Sequence, residues 1–130
     1  MSSHARVNRR QFERFMLEPG YTGALARVHP DEQVFTRDGH VYDISEGGVC
    51  FEMDEPIEPG RTISLRIDLP MKGTDCDADR SVYVTGNVVW CDSDEIGPVR
   101  MALAITRFDR AGDKGRMLRA LTSRRYLRAA

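Results

Sequence analysis

Thr62-Ile63-Ser64-Leu65-Arg66-Ile67-Asp68-Leu69 alternates polar and apolar residues without a break. Ile63, Leu65, Ile67 and Leu69 fall on one face, with Thr62, Ser64, Arg66 and Asp68 on the other. That period of two is the mark of a half-buried β-strand. Shorter stretches of the same character lie on both sides. Phe15 to Val28 reads as a first strand interrupted at Pro19-Gly20, where proline donates no ladder hydrogen bond and glycine allows a bend. His29-Pro30-Asp31-Glu32 is a turn signal. Gln33 to Thr36 and His40 to Ile44 read as strand segments around a tight turn at Arg37-Asp38-Gly39. Val49 to Met53 is a further strand, and Pro56 and Pro59-Gly60 punctuate the connection to the alternating stretch at Thr62.

Beyond it, Pro70 to Arg80 is a polar, acidic loop. Ser81 to Cys91 is rich in β-branched and aromatic residues, with Gly86 at an expected bulge. Asp92 to Pro98 turns the chain, and Val99 to Thr106 is a last strand with Met101, Leu103 and Ile105 on one face. Only the end has a helical period. From Asp109 or Asp113, an apolar stripe of Met117, Leu118 and Leu121 extends towards Tyr126, with arginines on the other faces. The fold class expected is mainly β: a six- to seven-stranded antiparallel β-barrel with a C-terminal α-helix. Residues 1–14 are expected as a flexible arginine-rich arm, 15–106 as the barrel and 107–130 as the helical segment, all one domain.

At 130 residues the chain is long enough for a self-sufficient core without metal or disulfide staples. Its 41% hydrophobic and 30% charged residues fit an ordinary globular protein, and no apolar run approaches the roughly 20 residues of a membrane span. The N-terminus has no apolar signal region, so a cytoplasmic location is expected. Cys50, Cys76 and Cys91 make no CxxC pair, and His4, His29 and His40 complete no zinc pattern. Cys50 and Cys91 are expected as buried reduced thiols, and Cys76 as an exposed one. The net charge of -1 hides a segregation: four arginines against Glu13 in residues 1–14, and eight basic residues against Asp109 and Asp113 from Arg107 onward. The ends are basic and the middle is acidic, which argues against a general nucleic-acid binder.

No catalytic constellation emerges. Nothing pairs His29, Asp31 and Glu32 with a nucleophile, and Ser45 has no histidine at a motif spacing. Asp75, Asp77 and Asp79 alternate as in part of a calcium loop, but the glycine and distal glutamate are missing. No metal, cofactor or enzyme activity is expected.

Two stretches remain. Arg9-Arg10-Gln11-Phe12-Glu13-Arg14 puts three arginines in six residues. Arginine forks bind phosphate bidentately and stack on flat rings; a solvated basic tail is the bland alternative. Asp43-Ile44-Ser45-Glu46-Gly47-Gly48 offers an acceptor carboxylate, a hydroxyl and two glycines. Its bland alternative is an Asx or serine turn closing a hairpin, with Gly47-Gly48 as a bulge.

Together, in this order, the two stretches resemble the PilZ domain, which is marked by RRxxxR on an N-terminal arm and (D/N)xSxxG on the barrel. Arg9, Arg10 and Arg14 match the first pattern, and Asp43, Ser45 and Gly48 the second. Gly86-Asn87-Val88-Val89-Trp90 resembles the family's fifth-strand region. Met101-Ala102-Leu103-Ala104-Ile105 departs from the glycine-leucine pair with which the family often ends its barrel. The resemblance implies binding of cyclic di-GMP without catalysis. Arg10 and Arg14 would meet phosphates and guanine N7 and O6, and Asp43 the guanine N1–H and amine. Ser45 would donate or accept nearby or cap the turn, and Gly48 would admit the base. Arg9 immediately before RxxxR implies a mutually intercalated pair of ligands, with a solvated residue as the alternative. Gly47 and Trp90 are further candidates; a lone tryptophan in such a run is more often core. The output would be a changed surface offered to an unidentified downstream protein. An adaptor on the same fold that binds no nucleotide is the alternative.

Overall fold

The computed structural model describes residues 14–17, 22–69, 81–92 and 98–123. Within them run seven strands and one helix: β1 Phe15–Met16, β2 Gly23–Val28, β3 Arg37–Ile44, β4 Gly48–Met53, β5 Thr62–Asp68, β6 Ser81–Asp92, β7 Val99–Phe108 and α1 Asp113–Ser123. The alternating stretch at Thr62 is β5, paired antiparallel with β2 on one side and β6 on the other. The order across the sheet is β1-β3-β2-β5-β6-β7-β4, and β4 pairs back onto β3. That pairing closes six strands into an antiparallel barrel and leaves β1 as an extra strand on β3. Closure removes the open edges a flat sheet would expose.

The alternation seen in the sequence becomes the barrel's inside and outside. Ile63, Leu65 and Ile67 of β5 are fully buried, as are Val41 and Ile44 of β3, and Phe51 of β4. Each such side chain contributes about 1.5–3 kcal/mol when removed from water. α1 adds Met117, Ala120 and Leu121 to the same core. Its first residue, Asp113, is fully buried and accepts from the Tyr83 backbone N–H at 2.9 Å and from Arg110 Nε at 3.1 Å. Arg116 donates to its other oxygen. The carboxylate thus takes up a strand donor of β6 and fixes the helix to the barrel.

The tight turn expected at Arg37-Asp38-Gly39 is not there. β3 runs straight through these residues, with Arg37, Asp38 and Gly39 opposite Ala26, Leu25 and Ala24. Glycine is present because β4 passes close: a Cβ on Gly39 would lie 1.9 Å from the Glu52 carbonyl oxygen. Gln33 to Thr36, expected as strand, is instead a connection. Its Phe35 packs edge-on against Tyr83, with centroids 5.7 Å apart. β1 and β2, both within the stretch expected as the first strand, lie along the same side of β3; Pro19-Gly20, where the interruption is expected, lies outside the described residues. The bulge at Gly86 is also present, as a register shift between Thr85 and Gly86.

Candidate functional site

A bulge in β3 creates the site. Its register against β4 shifts between Val41 and Asp43, so Val41 and Ile44 both point into the core while Tyr42 and Asp43 both face out. An inserted residue of this kind re-aims side chains without breaking the sheet. β1 secures the bulge, with the Leu17 N–H donating to the Tyr42 carbonyl at 2.8 Å. Since Arg14 stands immediately before β1, the same pairing delivers it to the bulge. Arg14 Nη2 lies 3.5 Å from Asp43 Oδ2, the side chains being 38% and 18% exposed. An ion pair this exposed adds at most about 1 kcal/mol to stability. Arg14 Nε is buried with no hydrogen-bond partner. Arg9 and Arg10 lie outside the described residues.

Ser45 closes the β3–β4 hairpin. Its N–H donates to the Gly48 carbonyl at 2.9 Å, and its Oγ accepts from the Gly47 and Gly48 N–H groups at 3.1 and 3.2 Å. The serine-turn alternative is therefore realised. Gly47 is tied to β7, its carbonyl accepting from the Ile105 N–H at 2.9 Å. Glu46, at the tip, pairs with Lys114 of α1 at 3.3 Å. Gly48 has a reason of its own: a Cβ there would come within 2.9 Å of the Leu103 carbonyl oxygen.

Outside the hairpin, Asp43, Cys50, Ala102 and Trp90 are successive cross-strand partners on β3, β4, β7 and β6. With strands about 4.8 Å apart, the row spans about 14 Å. Between its ends lie a half-buried thiol and the Ala102 methyl, 9% exposed, so the row is a low floor between an acidic wall and an aromatic one. Trp90 is 44% exposed, so it is not a core residue. A second bulge, between Val88 and Trp90, turns it outward.

Cys50 and Cys91 are free thiols as expected, but each is half-buried where full burial was expected, and Cys50 differs most. It is half-buried and points out beside Asp43. Burial, and then the Asp43 carboxylate, push its thiol pKa up, so it stays protonated at neutral pH. Cys91 is half-buried against the core, and Cys76 lies outside the described residues. Sequence reasoning missed Cys50, Tyr42, Glu52 and Arg100 as neighbours of the site. The alternation in β4 and β7 carried the signal for three of them, since it puts Cys50, Glu52 and Arg100 opposite the apolar face. The bulge that exposes Tyr42 left no sequence mark.

A serine–histidine contact exists elsewhere, with His29 Nε2 2.8 Å from Ser64 Oγ. Ser64 Oγ is 2.8 Å from Thr85 Oγ1, and Thr85 donates to Asp109 at 2.9 Å. A carboxylate only accepts, so each hydroxyl donates towards Asp109 and His29 Nε2–H must donate to Ser64. That is the reverse of a base activating a nucleophile, and Ser64 is only 1% exposed. The constellation is structural.

Comparison with known proteins agrees with this architecture. The family model described as PilZ domain matches residues 8–123, and the chain belongs to that family. Among solved structures it is similar to the inhibitor of motility MotI/DgrA of Bacillus subtilis, at 20% identity and TM-score 0.63. That match covers 89% of this chain and 50% of the other, so this chain spans half of the Bacillus protein's length. It is also similar to the PilZ domain of YcgR from Escherichia coli, solved with c-di-GMP, at 12% identity and TM-score 0.64. There the match covers 88% of this chain and 90% of the other. No curated protein sequence matches. Among the described residues, no helix is long and apolar enough to cross a membrane, and no group of side chains could hold a metal ion.

Proposed function

We propose that this protein is a non-catalytic receptor for cyclic di-GMP. The observation that carries the reading is the meeting of Arg14 and Asp43, separated by 29 positions in sequence, on one outer face of the barrel. Beside them runs the low floor that ends at Trp90. A fork for phosphate, an acceptor for guanine N–H groups and an aromatic plane suit a ligand with two phosphates and two flat bases. Arg10 complements Arg14 from the arm, and Arg9 stacks on a guanine of a second, intercalated ligand. Ser45, Gly47 and Gly48 hold the turn that sets Asp43 in place. Family membership, and the YcgR domain solved with c-di-GMP, support this reading. Binding changes the arm and the face around it, and a downstream protein in the cytoplasm reads the change.

A second reading has an observation in its favour. Ser45 and Gly48 each have a complete structural role, so their presence does not by itself require a nucleotide. An adaptor on the same barrel would keep both. Competition binding separates the two readings. A receptor binds labelled cyclic di-GMP and is displaced by the unlabelled dinucleotide but not by GTP. An adaptor gives no saturable signal, and that result would overturn the receptor reading.

A further inference from the structure

Arg100 belongs to neither sequence motif, yet it borders the same face. It sits on β7 two positions from Ala102, the floor residue, and its side chain is exposed. Its guanidinium lies over the Tyr42 ring at 4.7 Å from the centroid. Tyr42 is the outward residue of the bulge and the immediate neighbour of Asp43. The Tyr42 hydroxyl donates to Glu52 Oε1, and Arg100 stands between two cross-strand carboxylates, Glu52 on β4 and Asp92 on β6. A carboxylate opposite an arginine on a sheet ordinarily takes the arginine as its partner. Here Glu52 instead holds the phenol, and the phenol's ring holds the arginine.

That arrangement has a chemical consequence. A guanidinium lying on an aromatic face keeps its N–H groups, which point out along its edge, open to an acceptor. The fork is positioned before any ligand arrives, so less rotamer freedom is lost on binding. It is also carried by a barrel strand, whereas Arg14 precedes β1, outside the closed barrel. A dinucleotide lying on the floor between Asp43 and Trp90 carries two phosphates. Arg14 already shares its charge with Asp43. The receptor reading gives Arg10 and Arg14 to the phosphates, and Arg100 adds a cation carried by the barrel itself on this face.

Resting on the receptor reading, we propose that Arg100 is a further ligand-binding residue, gripping a phosphate of the dinucleotide with the edge of its guanidinium. The test is calorimetric titration of cyclic di-GMP into the wild type, Arg100→Gln and Arg100→Lys, at low salt and at about 1 M salt, where charges are screened within about 3 Å. Thermal unfolding of each variant checks that an exposed substitution leaves the fold intact. Arg100→Gln is expected to bind roughly tenfold more weakly at low salt. The gap is expected to narrow at high salt, with Arg100→Lys recovering part of the affinity. Equal affinity of Arg100→Gln and wild type would overturn the proposal and leave the receptor reading standing. A loss that is the same at both salt concentrations would also overturn it, because packing and not charge would then be responsible. No binding by the wild type would overturn both.

Discussion

Replacing Ser45 with alanine tests whether the motif serine acts through the turn. The hydroxyl accepts from two backbone N–H groups, at 3.1 and 3.2 Å, and the residue is only 7% exposed. Ser45→Ala removes both bonds while the Ser45 N–H to Gly48 carbonyl bond remains. At about 1 kcal/mol per neutral bond, the expected loss is about 2 kcal/mol. For a domain of this size that lowers Tm by roughly 6–10 °C. Ser45→Thr keeps the acceptor and is expected to retain most of the stability. Urea denaturation measures the loss, and the m-value should not change because the same surface is exposed on unfolding. Amide exchange at Gly47 and Gly48 should quicken in the alanine variant. An unchanged denaturation midpoint with unchanged exchange at both glycines would refute the assignment of Ser45 to the turn.

Asp113→Ala leaves the Tyr83 N–H and two arginines without their shared buried acceptor. It is expected to cost about 3 kcal/mol by denaturation, with Asp113→Asn intermediate. Gly39→Ala forces β3 and β4 apart at Glu52 and is expected to cost at least about 1–3 kcal/mol; a neutral effect would show that the close approach is wrong. Acid is expected to weaken the fold in two steps. Burial, then Arg27 and Arg107, hold His29 below its ordinary 6.5 against the opposing pull of Asp109. The unfolded chain therefore takes up that proton more readily, and stability declines as pH falls below 6.5. A side-chain hydrogen bond from Arg37, then the Val28 N–H, depress Glu32 below 4.5, so its contribution is full above that value and lost as pH falls through its folded pKa. Urea midpoints across pH should show both limbs, the upper one absent in His29→Gln and the lower one in Glu32→Gln.

The barrel was legible wherever one face is core and the other solvent. β5 shows this most clearly, because Ile63, Leu65 and Ile67 had to share a face for its pattern to make sense. The helix was legible from Met117 and Leu121 for the same reason. Arg37-Asp38-Gly39 misled because turn propensity is a local signal, whereas Gly39 is present to meet the Glu52 carbonyl of another strand. Local composition cannot distinguish a glycine that turns from one that lets a neighbour pass. The site was legible as two motifs but not as a surface. Its floor depends on register, which brings Cys50, Ala102 and Trp90 into one row, and on two bulges that turn Tyr42, Asp43 and Trp90 outward. Neither bulge carries its own residue signature, so Arg100 and Cys50 emerged as neighbours of Asp43 only once the strands were paired.

The most direct test of the receptor account is calorimetric titration of cyclic di-GMP into the wild type and Arg14→Ala. Removing a charged hydrogen-bonding partner is expected to cost about 1.5–3 kcal/mol, or roughly ten- to over a hundredfold in affinity. Saturable wild-type binding that collapses in Arg14→Ala is the expected result, with the stoichiometry reporting whether Arg9 accompanies one ligand or two. Binding that is equally strong in Arg14→Ala, or absent from the wild type, would contradict the account.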